Sequence, residues 1–123
     1  MDGPVRVQDD YARMQGRVIR TEAPGLVRGR VVTDDDDVRA WVQDNDVAAI
    51  GRQPVAEKLR MIGTLLGSTW VSDDDVAAVE RICAGAVIAG DLPALHDRFY
   101  DDLPRLVSNI GQRTRLRIAL TRR

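Results

Sequence analysis

The stretch VSDDDVAAVERICAGAVIAG, from Val71 to Gly90, leaves the chain little freedom in how it can fold. Asp73, Asp74 and Asp75 open it, where the unpaired N–H groups of a helix start favour an N-cap oxygen and negative charge. Between Asp75 and Asp91 only Glu80 and Arg81 are charged, and from Ile82 to Ala89 every residue is small or apolar. A helix that is apolar all round must be covered all round. Its apolar run falls well short of the about 18 residues a membrane span needs, so it reads as a core helix. Ala84, Gly85, Ala86 and Ala89 keep it thin, so that neighbours can come close on more than one side. Gly90 ends it, as the left-handed residue after the last turn.

Composition supports a body able to enclose such a rod. The 123 residues are 44% hydrophobic and 30% charged, which are globular values, and one domain is the natural expectation. Aromatic residues make up only 4%, so Val, Leu, Ile and Ala must fill the core. The single cysteine, Cys83, excludes an internal disulfide and sits among apolar neighbours. The opening MDGPVRVQDD lacks the basic and apolar regions of a secretory signal, so the expected location is cytoplasmic, with no membrane association.

Along the chain, residues 1–7 read as a loose arm. Tyr11, Met14, Val18 and Ile19 fit an amphipathic helix within Gln8 to Ile19. The competing reading is a strand from Arg17 to Glu22, turned by Ala23-Pro24-Gly25 and returning along Leu26 to Thr33. Thr33 to Asp37 starts an acidic helix carrying Val38, Trp41 and Val42, which stops near Asn45-Asp46. Pro54 suits the first position of a helix striped by Val55, Leu59, Ile62 and Leu66. After Gly90, Asp91 caps a helix with Pro93 in its first turn and a stripe through Leu92, Leu95, Phe99, Leu103, Leu106 and Ile110. Pro104 interrupts that stripe, predicting a break near Asp102, and Gly111 ends it. In the tail, Leu116, Ile118 and Leu120 alternate with Arg115 and Arg117, which suits a strand paired with Leu26 to Val32 or a final helix.

The expected architecture is therefore mainly α. It is a compact bundle of about five helices around a buried central helix, with room for a small β element from the N-terminal segment and the C-terminal tail. A single domain covers 1–123, with the arm at 1–7, the helical body at 8–111 and a basic tail at 112–123. Val79, Cys83, Val87, Leu59, Ile62, Leu95, Phe99 and Leu106 should be buried together.

The net charge of −1 conceals an asymmetry. Asp34 to Asp102 holds 15 acids against 6 bases, whereas Leu103 to Arg123 holds 6 arginines and no acid. Such oppositely charged regions steer partner choice, or bind each other.

Motifs that carry chemistry are absent. A calcium loop of the EF-hand kind needs Gly at its sixth position and Glu at its twelfth. Counting from Asp34 these are Arg39 and Asn45, and from Asp73 they are Ala78 and Ala84. Helix capping accounts for both aspartate clusters, and no metal or other cofactor is expected. His96 and Cys83 are each the only residue of their kind, too few for a His/Cys metal set. Cys83, deep in the apolar helix, is a poor nucleophile, and His96 should be exposed opposite Leu92, Leu95 and Phe99. No nucleophile elbow, phosphate loop or dinucleotide fingerprint occurs.

Arg28-Gly29-Arg30 is the kind of tripeptide that lies in a narrow A·T minor groove. Val38-Arg39-Ala40-Trp41 followed by Gly51-Arg52-Gln53-Pro54 resembles the C-terminal domain of actinobacterial silencers of AT-rich DNA. That family pairs a helix bearing Arg and Trp with an Arg-Gly-Arg-Ile-Pro loop, which implies DNA binding. Here Ile50 replaces the first arginine and Gln53 the apolar residue, in acidic surroundings that repel phosphate. A helix-turn-helix over Val55 to Ala84 would bring Asp73, Asp74 and Asp75 to the DNA, which is electrostatically backwards.

The sequence thus points to a non-enzymatic protein–protein interaction or regulatory module. The alternative is a nucleic-acid-binding regulator using Arg28, Arg30 and the C-terminal arginines. Candidate partner or nucleic-acid contacts are Arg28, Arg30, Arg113, Arg115 and Arg117. Another protein is the expected partner; a homo-oligomer remains open.

Overall fold

The computed structural model describes residues 34–122, together with the backbone of 26–27 and 30–31. Among the described residues the first elements are two short antiparallel strands, β1 (Leu26–Val27) and β2 (Arg30–Val31), in which Leu26 faces Val31 and Val27 faces Arg30. The arm at 1–7, the helix within 8–19 and the turn at Ala23-Pro24-Gly25 lie outside the described residues.

Helices make up the rest. They are α1 (Asp35–Asp44), α2 (Val47–Gly51), α3 (Val55–Leu66), α4 (Asp73–Ala89), α5 (Leu92–Phe99), α6 (Leu103–Leu106) and α7 (Ile110–Thr121). The protein is a mainly α bundle around α4, which touches α1, α2, α3, α5 and α7. None of the described helices is long and apolar enough to cross a membrane.

Local chemistry sets the ends of these helices. Asp34 caps α1 by accepting from the Asp37 N–H, and Asp46 caps α2 through the Ala49 N–H at 2.7 Å. At α4 the N-cap is Ser72 rather than an aspartate. Its hydroxyl accepts from Asp75 N–H while the Asp75 carboxylate accepts from Ser72 N–H, a reciprocal capping box. Gly90 closes α4 at φ 81°, and the Asp91 N–H reaches back to the Ala86 carbonyl. The stripe after Gly90 breaks where Pro104 predicts, through a 3-10 turn over Tyr100–Asp102 before α6.

The core matches expectation in composition and departs from it in detail. Val79, Cys83, Ile62, Leu95 and Phe99 are buried, while Leu59, Val87 and Leu106 are half-buried against them. The rod is open at its far end, where Ile88 is 67% exposed. On α3 the buried face is rotated toward Lys58, Met61 and Leu65, leaving Val55 at the rim. The apolar spacing alone did not signal that rotation, because a lysine belongs to the inner face. The Lys58 ammonium, fully buried, donates to the Gly51 carbonyl at 2.7 Å and to the Asp91 carboxylate at 2.5 Å. Asp91 consequently makes no side-chain cap on α5, contrary to expectation.

Of the two readings of the tail, the helix holds: it is α7, and not a strand paired with Leu26 to Val32. Gly111 requires a correction, since it lies in that helix's first turn rather than ending the one before. Asn109 starts α7 by accepting from the Gln112 N–H at 2.9 Å. A strand would have placed Leu116, Ile118 and Leu120 on one face. The helical period buries Leu116, Ala119 and Leu120 and turns Ile118 outward.

Candidate functional site on the C-terminal helix

α7 runs parallel to α4, in a register fixed by polar contacts along its length. The Gln112 amide donates to the Val71 carbonyl at 3.2 Å and to the Asp73 carboxylate at 2.9 Å. One helical turn on, Arg115 makes a two-pronged contact with Glu80, Nε to Oε2 at 3.2 Å and Nη2 to Oε1 at 2.7 Å. Hydrogen bonding to Glu80 raises the Arg115 pKa above its ordinary value. The basic tail therefore docks on the protein's own acidic body, with an apolar seam of Leu116, Ala119 and Leu120 beneath the ion pair.

This docking separates the candidate arginines. Arg115 is committed to Glu80. Arg113 and Arg117, four residues apart, lie on the opposite flank of α7, and the Arg113 Nη2 donates to the Ser108 carbonyl at 3.1 Å. Arg117 has no side-chain hydrogen bond or ion pair among the described residues, and neither does Arg122 at the end of the helix. Arg28 lies outside the described residues, and of Arg30 only the strand backbone is described. The three described candidates are thus not gathered on one surface, Arg115 facing α4 and Arg113 and Arg117 lying away from it.

The arrangement reveals an outward face that the period-2 pattern concealed. Ile110 is 72% and Ile118 58% exposed, with Thr114 and Thr121 on the same side. Trp70, 81% exposed, adjoins Val71, whose carbonyl holds Gln112, so it stands at the same end of α7 as Ile110. Sequence inspection could have found this face only by assigning α7 as a helix first.

Two other places with functional promise prove to be internal bracing. A groove of about 370 Å³ between α1 and α4 is lined by Arg39 and Arg81. Arg39 binds Asp35 at 3.1 Å, Asp36 and the buried Asp75, and the Asp75 hydrogen bond raises its pKa. Arg81 donates to the Val42 carbonyl in the last turn of α1 and, at 2.5 Å, to the carbonyl of Asn45, which caps that helix. Trp41, the aromatic residue of the silencer-like segment, is in the core. Asp34, Asp35 and Asp36 each bring an oxygen within 4.8 Å of the others, but Arg39 already holds two of the three carboxylates.

Cys83 has no nucleophilic character at neutral pH, because burial pushes its thiol up to about 12. His96 is half-exposed and stacks on Tyr100 with ring centroids 4.5 Å apart. Compared with family models, curated proteins and solved structures, the chain matches none.

Proposed function

We propose that the protein is a small non-enzymatic interaction or regulatory module of the cytoplasm, and that the outward face of α7 receives an acidic protein segment bearing aliphatic side chains. The observation that carries this reading is the exposure of Ile118 beside Arg117 and Arg122, two guanidinium groups with no carboxylate of their own among the described residues. Covering Ile110 and Ile118 would contribute about 1.5–3 kcal/mol each, whereas exposed ion pairs add at most about 1 kcal/mol each and chiefly steer the encounter.

Nucleic acid suits this face less well. Arg115 is neutralised by Glu80, and a phosphate backbone laid along α7 would meet Asp73 beside Gln112. Trp70 supplies the readout, since Trp41 is buried and Trp70 is not. An acidic amphipathic peptide should shift Trp70 fluorescence to the blue, and Ile118→Asp should abolish that shift. Binding of generic duplex that weakens steeply with salt, without peptide binding, would overturn the reading in favour of a nucleic-acid regulator. Loss of the Trp70 signal on dilution of the protein alone would instead identify a homo-oligomer.

A further inference from the structure

Beyond the α7 face, the ends of α4, α5 and α7 enclose a cleft of about 460 Å³, within the about 300–1,000 Å³ usual for small-ligand sites. Its floor is apolar, made of Val87, Leu92 and Leu120, and its rim is polar, made of His96, Asp97 and Arg122. Asp97, the only acid in the lining among the described residues, is 84% exposed and points its charge to solvent, with its Oδ1 3.6 Å from His96 Nδ1. Arg122 has no such partner among the described residues. Its positive charge reaches inward as far as Cys83, one turn before Val87 on α4.

We infer that this cleft binds a carboxylate attached to a compact apolar group. The apolar body lies on Val87, Leu92 and Leu120, and the carboxylate meets the Arg122 guanidinium in a charge-assisted hydrogen bond, with His96 beside it. A phosphate fits less well. One guanidinium cannot satisfy its several acceptor oxygens, and those left over would face leucine side chains. The same chemistry is offered by a free branched or aromatic monocarboxylic acid and by the C-terminal residue of a polypeptide.

The test is amide chemical-shift mapping on the full chain, with four probes: 4-methylpentanoate, its amide, the tripeptide Gly-Gly-Leu and its C-terminal amide. Shifts at Val87, Gly90, Leu92, His96 and Leu120 are expected with both free acids, at millimolar affinity. Each amide should bind at least about tenfold more weakly, as should either acid to Arg122→Gln. Arg122 is exposed at a helix end, so this variant keeps the fold. Tighter binding of the tripeptide than of 4-methylpentanoate identifies a polypeptide terminus as the source, and the reverse order identifies a free acid. Equal affinity for acid and amide, or no shifts in the cleft at millimolar probe, would overturn the inference.

Discussion

Gly51 and Gly85 cross backbone to backbone. A β-carbon added at Gly51 would stand 2.7 Å from the Gly85 carbonyl oxygen, and one added at Gly85 would stand 2.8 Å from the Gly51 nitrogen. The short helix α2 thus lies directly on α4, with no side chain between them at the crossing. The nearest atom met in each case is backbone, which cannot swing aside as a flexible side chain would; at Gly85 the Val47 carbonyl oxygen and the Ile50 side chain follow at 3.0 and 3.1 Å.

Substitutions at this crossing should therefore be costly. Gly85→Leu is expected to destabilise by about 1–3 kcal/mol or more through overpacking, and Gly51→Ala to act in the same direction. Urea denaturation gives the number. An unchanged midpoint for Gly85→Leu would show that α2 and α4 are not pressed together.

The Lys58–Asp91 pair predicts an asymmetry. Asp91 is 28% exposed and Lys58 is not exposed at all, so water can replace the lysine at Asp91 but cannot replace Asp91 at Lys58. Asp91→Ala should then destabilise at least as much as Lys58→Met. Removing one partner of a pair this buried costs about 2–4 kcal/mol. Chemical denaturation of both variants decides it, and a clearly larger loss for Lys58→Met would contradict the assignment.

Cys83 carries a pH dependence whose sign follows from its burial. Its thiol is raised to about 12 in the folded state, while an unfolded cysteine titrates near 8.5. Below the unfolded value both states are protonated and stability is unaffected. Between the two values the unfolded chain loses its proton first, so stability should fall by about 1.4 kcal/mol per pH unit as pH rises. Tyrosines titrate in the same range, so the measurement is the difference in slope between the protein and Cys83→Ala. Thiol-labelling at pH 8 should be slow in water and fast in denaturant.

α7 should be held by its apolar seam more than by its charges. Leu116→Ala is expected to cost about 2–5 kcal/mol, against at most about 1 kcal/mol for Arg115→Ala, whose ion pair is half-exposed. Amide exchange over residues 114–120 should be slow, and should stay slow at high salt. Fast exchange at any ionic strength would mean that the tail is not docked.

Local chemistry made much of this fold legible in the chain itself. The apolar run after Arg81 marked α4 as the central helix, Gly90 marked its left-handed end, and Pro104 marked the break between α5 and α6. Each of these depends on a backbone preference or on the absence of polar side chains, and both act within a few residues. The face of α3 depended on something else. Lys58 points inward because the carbonyl of Gly51, on the preceding helix, and the carboxylate of Asp91, remote in sequence, converge on it. In α7, an alternating run of arginine and aliphatic residues satisfies a strand or a helix equally well. Packing of Leu116, Ala119 and Leu120 against α4, with Glu80 receiving Arg115, decided for the helix and turned Ile118 outward. Those partners are long-range, and a side chain's exposure is set by what the rest of the chain brings to it.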